Sequence, residues 1–159
     1  MDYTSALHHV LSLADLERMI NPPGRRPRYD LSRMESLMSR LGDPQKRVPT
    51  VHVTGTKGKG STSAMIASIL SICGLNVGLF TSPHLHTMRE RIQICGQPLS
   101  EGAFADAVEQ VWPIVEAMAN DDSPERVTTF ETLTAMAFSV FARRKLDFQV
   151  LEVGMGGAL

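Results

Sequence analysis

Residues 48–62 read Val48-Pro49-Thr50-Val51-His52-Val53-Thr54-Gly55-Thr56-Lys57-Gly58-Lys59-Gly60-Ser61-Thr62. The β-branched run through Thr54 predicts a strand. A glycine-rich turn ends it, and an apolar helix from Thr62 to Cys73 is expected to follow. Glycines let a backbone fold tightly enough for several N–H groups to face one anion, and a helix N-terminus adds partial positive charge. Lys59 supplies a full charge. The chain has four lysines, Lys46, Lys57, Lys59 and Lys145. Two of them sit in this turn, which favours a phosphate loop over a plain surface turn. The pattern is not the general G-x-x-x-x-G-K-[ST]. Its leading glycine lies closer to Lys59, and Gly60 stands where a magnesium-binding hydroxyl is usual. Either Ser61 takes that role or another residue supplies the oxygen.

Outward from this loop, the pattern alternates strand and helix. Ala64, Met65, Ile66, Ala67, Ile69, Leu70 and Ile72 cover most of the helix after the loop, so it is expected to be well buried. Val77–Thr81 predicts a second strand, Arg91–Cys95 a short strand and turn, and Phe148–Val153 a third main strand. Ser100 caps a helix bearing Val108, Val111, Val115 and Met118, with Pro113 expected to kink it. Thr128 and Glu131 have capping-box spacing for a helix running to about Lys145, and residues 120–126 read as polar loop. Upstream, residues 4–20 predict a helix capped by Thr4, broken by Pro22, Pro23, Gly24 and Pro27. A second helix follows Asp30 and stops at Gly42. Strand–helix–strand order predicts an α/β fold, a parallel sheet flanked by helices in three layers.

Lys plus Arg number 16 and Asp plus Glu 17, so the net charge is −1. This argues against nucleic-acid or membrane-surface partners, which call for a basic excess. Cys73 and Cys95 fit neither a disulfide framework nor a metal motif. No apolar run reaches the roughly 18 residues of a membrane span, and Asp2, Asp15 and Glu17 interrupt any signal-like start. A cytoplasmic location is expected.

Val51 to Ser61 closely resembles the phosphate loop of folylpolyglutamate and dihydrofolate synthases, relatives of the Mur peptidoglycan ligases. Val77-Gly78-Leu79-Phe80-Thr81-Ser82-Pro83-His84-Leu85, Glu90-Arg91-Ile92, Thr129-Phe130-Glu131 and Leu151-Glu152-Val153-Gly154-Met155-Gly156-Gly157 follow in the family's order and approximate spacing. Leu37–Pro44 is also similar to the family's N-terminal helix. The resemblance implies a P-loop-type ATP domain and a reaction in which ATP converts a folate or dihydropteroate carboxylate to an acyl phosphate. The amino group of L-glutamate then attacks, and ADP and phosphate leave. It implies that Gly55, Thr56, Lys57, Gly58, Lys59, Gly60 and Ser61 hold ATP, with Lys59 catalytic. Ser82 and Glu152 would bind Mg²⁺, and Thr128, Thr129, Phe130 and Glu131 would contact the pterin.

Several of these residues also have plainer explanations. Glu152 has support apart from the resemblance, since an acid ending an apolar strand beside a phosphate loop suits a hard cation shared with phosphates; a strand-end carboxylate facing water is the alternative. Ser82 could be a turn hydroxyl before Pro83. The capping box alone would explain Thr128 and Glu131, and Phe130 could be core or stack on a flat ring. His84 and His86 find no further ligand at a convincing spacing, and Arg89 and Arg91 could meet anions or water.

Family members are much longer, and they place an arginine where Ala158 stands. The expected organisation is N-terminal helices over 1–47 and a truncated P-loop ATP-binding domain over 48–159, with the C-terminal glutamate-ligase domain absent. The chain alone is then expected to be inactive, and the full-length enzyme to be a monomer. The alternatives are a non-catalytic ATP- or phosphate-binding remnant and an interaction fragment with an open sheet edge.

Overall fold

A computed structural model describes residues 1–13, 31–120 and 126–154. Five strands, β1 (Thr50–Val53), β2 (Val77–Phe80), β3 (Ile92–Ile94), β4 (Gln97–Pro98) and β5 (Phe148–Glu152), form one sheet in the order β1-β5-β2-β3-β4. β5 lies between β1 and β2 and is parallel to both, while β3 and β4 add an antiparallel ribbon at the far edge. The three main strands are those expected from the sequence. β3 coincides with the expected short strand, and the turn after it returns as β4 through Cys95 and Gly96, both at positive φ.

The helices are α1 (Tyr3–Leu11), α2 (Ser32–Arg40), α3 (Lys59–Ile72), α4 (Glu101–Ala119) and α5 (Thr129–Arg143). α1 is capped by the side chain of Asp2, not Thr4, through a bond from the Ser5 amide. Asp2 takes the cap because its carboxylate is a strong acceptor standing one residue ahead of the helix. The expected extension of this helix to residue 20, the proline-rich break, most of the loop at 120–126 and the glycines after Gly154 lie outside the described residues. α3 begins at Lys59, three residues ahead of expectation, because Gly58 enters the left-handed region (φ 73°) and starts the helix there. α4 runs through Pro113 as one helix.

Side-chain alternation divides the sheet between two layers. Val77, Leu79 and Val150 face α3 and pack with Ala67. Phe80 and Leu151 face the other way, into a larger cluster with α5, α4, α1 and α2. β2 is buried along its whole length, as befits a parallel strand covered on both faces. Gly78 shows how tight that second face is. A Cβ added there would stand 2.6 Å from two ring atoms of Phe141, which is fully buried in α5. Gly78→Ala should therefore destabilise the fold by about 1–3 kcal/mol through overpacking. The check is a lower urea midpoint with an unchanged m-value; an unchanged midpoint would contradict the packing.

One expectation fails. α3 is not well buried: of its residues only Ser63 and Ala67 are fully covered. Met65, Ile69 and Ile72 are 58%, 61% and 83% exposed. A helix apolar all round has no side that its own pattern marks as outward. Here it packs on the sheet by Ala67, Ile66 and Leu70, and among the described residues no second helix covers its far side. β1, the adjoining edge strand, alternates exposed and half-buried positions.

Candidate functional site

The parallel strands all point their carboxyl ends at the loop that opens α3, the usual place for a ligand in a sheet of this kind. Gly55 (φ 151°) and Gly58 (φ 73°) adopt backbone conformations that favour glycine. No side chain caps the start of α3, so the amides of its first turn are not engaged by a capping oxygen. Lys59 is the first residue of the helix and is half-buried. Its stem folds back over the turn, with Cγ 3.8 Å from the place a Gly55 Cβ would occupy. Thr56, Lys57 and Ser61 are exposed.

Glu152 is the last residue of β5. Period-two alternation puts it on the same face as Val150, the face covered by α3. It is only 9% exposed, so the alternative of a carboxylate facing water does not hold. Its Oε2 accepts a hydrogen bond from the Ser82 amide at 3.1 Å. Its two oxygens stand 3.3 and 3.4 Å from where a Gly60 Cβ would be. The missing side chain at position 60 is thus the space that the Glu152 carboxylate fills. Gly60, Ser82 and Glu152, distant in sequence, meet at one point in front of the sheet.

Ser82 opens the connection between the antiparallel strands β2 and β3, closed at its base by Thr81 N–H donating to the Arg91 carbonyl at 3.1 Å. The Ser82–Pro83 bond is cis. Arg91 is buried, and its Nε donates to His84 Nδ1 at 3.0 Å. A guanidinium only donates, so His84 Nδ1 is the accepting nitrogen. Glu90 accepts three successive backbone amides, from Leu85 at 2.9 Å, His86 at 3.1 Å and Thr87 at 2.8 Å. These bonds, the Leu85 N–H foremost, hold its carboxyl below the ordinary carboxylate pKa.

The four residues at the start of α5 divide. Thr128 and Glu131 do form the expected capping box. Glu131 is further committed by Oε1, which pairs with Arg33 of α2 at 3.1 Å in a largely buried contact. Thr129 is buried and donates its hydroxyl to the carbonyls of Val10 and Leu13 at 3.4 and 3.3 Å, fastening α1 to α5. Phe130 remains half-exposed. It meets Phe80 edge-on with centroids 5.8 Å apart. It also closes on Gly154, where a Cβ would stand 2.9 Å from its ring. It therefore lies at the carboxyl end of the sheet, two residues along from Glu152.

Sequence reasoning did not find the roles of Glu90 and Arg33. For Glu90 a signal exists, since Thr87 and Glu90 have capping-box spacing and form one around the short 3₁₀ helix Met88–Arg91. Arg33 pairs across 98 positions of sequence, and no local pattern announces that.

Among the described residues no group of three or more His, Cys, Asp or Glu could hold a metal. Also among them, no helix is long and apolar enough to cross a membrane. The oxygen chemistry at Glu152 and Ser82 nevertheless suits Mg²⁺, which takes one or two protein oxygens and completes its shell with water and phosphate.

No family model matches the chain. It is 46% identical over 128 residues to a dihydrofolate synthase/folylpolyglutamate synthase of Bacillus subtilis, covering 80% of this chain and 30% of that protein. It is 36% identical over 157 residues to folylpolyglutamate synthase of Lacticaseibacillus casei, covering 99% of this chain and 35% of that one. Among solved structures, an FPGS–AMPPCP–folate complex superposes with a TM-score of 0.86 at 37% identity, over 99% of this chain and 36% of that one. The chain thus spans about a third of the length of the relatives it matches.

Proposed function

Because the chain is a homologue of the N-terminal part of folylpolyglutamate and dihydrofolate synthases, we infer that it is the nucleotide-binding portion of an ADP-forming carboxylate–amine ligase acting on folate or dihydropteroate and L-glutamate. The observation that carries this reading is the meeting of Gly60, Ser82 and Glu152 in front of the phosphate loop. A carboxylate set against a loop of glycines and lysines makes sense where a cation lies between it and phosphate. Support also comes from the matching structure, a complex with AMPPCP and folate.

In this reading the backbone of Gly55–Ser61 and the charge of Lys59 hold the phosphates of ATP. Ser82 and Glu152 hold Mg²⁺, which when bound offsets charge on the phosphates as the acyl phosphate forms. Lys59 contributes by positioning and electrostatic stabilisation, since phosphoryl transfer asks little covalent chemistry of a protein. Phe130 is the residue of its segment left to contact a flat ring. Thr128, Thr129 and Glu131 support it through the cap, the bond to α1 and the pair with Arg33. Calorimetric titration with AMPPCP and Mg²⁺ tests the reading: saturable binding at one site supports it, and no binding overturns it.

The chain spans about a third of its relatives, which favours binding without turnover when it is assayed by itself. Glutamate-dependent release of ADP by the 159-residue chain would contradict that.

A further inference from the structure

Ser82 and Glu152 stand against each other only if the connection between β2 and β3 keeps its shape. That connection protrudes from the fold. Leu85 is 86% exposed, so packing does not hold its tip. What holds it is a set of hydrogen bonds from within. The Ser82 amide goes to Glu152, His84 is fixed by Arg91, and the amides of Leu85, His86 and Thr87 all converge on Glu90. Glu90 alone satisfies three of these groups with two oxygens, at 2.8 to 3.1 Å. Its place is itself set by Thr87, whose hydroxyl accepts from the Arg89 amide at the start of the 3₁₀ helix.

We propose that Glu90 is a positioning residue that holds the Ser82–Thr87 loop in the shape that keeps Ser82 against Glu152. This rests on the reading of Ser82 as a magnesium ligand in a nucleotide site. Glu90 itself touches neither metal nor nucleotide; it acts through the backbone that carries Ser82. The bonds from Leu85 and His86 are exposed to solvent, so water replaces Glu90 when it is removed. The expected consequence is a loosened loop in an intact fold.

The test uses the full chain with Glu90→Ala and Glu90→Gln. Hydrogen exchange in the ligand-free protein should show the amides of Leu85, His86 and Thr87 exchanging roughly tenfold faster in Glu90→Ala, with β2 and β5 as protected as in the wild type. Calorimetry with AMPPCP, with and without Mg²⁺, should show the magnesium-dependent gain in affinity falling about tenfold and the metal-free affinity unchanged. Glu90→Gln keeps one accepting oxygen and should fall between, and it carries the test if the alanine variant does not fold. Unchanged exchange at 85–87 would overturn the proposal, and so would a loosened loop with the full magnesium gain. A wild-type chain that binds AMPPCP with no magnesium gain would instead overturn the metal reading itself, before any variant is made.

Discussion

Replacing Lys59 by alanine should weaken binding of AMPPCP roughly 10- to 100-fold, since a charge-assisted contact to phosphate contributes about 1.5–3 kcal/mol. The stability of the fold should hardly change. Lys59 is the first residue of α3, half-buried, with its stem lying over Gly55 and, among the described residues, no ion pair to an acidic side chain. Substitutions of that kind usually fall within about 0.5 kcal/mol. Binding loss and unfolding are therefore separable, and a melting curve taken beside the titration separates them. Lys59→Arg should not restore full affinity, because a planar fork is a poor substitute for a compact ammonium on a short path around a glycine turn. Affinity unchanged in Lys59→Ala would place the phosphates elsewhere.

The second large effect concerns Glu152, and its sign depends on the metal. The carboxylate is buried beside Gly60 and Ser82. Without a cation between them, it would repel a triphosphate held by the loop. With Mg²⁺ bound, the repulsion would become attraction. Glu152→Gln keeps the shape and removes the charge. It should leave metal-free nucleotide affinity equal to or higher than in the wild type. It should also remove most of the magnesium-dependent gain, a loss of about 10- to 100-fold for one charged ligand. Titrations in Mg²⁺ and in chelator read both halves. A variant that loses affinity equally in the two conditions would show Glu152 to be a structural support and no more.

Much of the fold is legible along the chain, and the reason is periodicity. β2 and β5 are short apolar runs bounded by turns, and the phosphate loop joins a strand to a helix in a way that fixes its own surroundings. The position of Glu152 follows from the same rule, since it shares parity with Val150 and so faces α3. What could not be read depends on contacts between distant segments. α3 is apolar on every side, and a pattern without a polar face cannot say which side is left open. Met65, Ile69 and Ile72 read as inside residues and lie outside. The segment Thr128–Glu131 carries two explanations in its pattern, and its residues make different contacts in the fold. Thr129 and Glu131 are tied to α1 and α2, partners far off in sequence, and Phe130 is left near the sheet's carboxyl end. The spacing of Glu90 from Thr87 does describe a capping box, and the structure forms it.

Nucleotide phosphates are expected to bind in front of β1, β5 and β2, between the loop Gly55–Ser61 and the pair Ser82–Glu152. Backbone amide shifts of the isotopically labelled chain, followed during titration with AMPPCP and Mg²⁺, test it most directly. Saturable shifts are expected at residues 55–61, at Ser82 and at Glu152, with those at Ser82 and Glu152 appearing only when Mg²⁺ is present. Shifts confined to other surfaces, or none at residues 55–61 at saturating nucleotide, would contradict it.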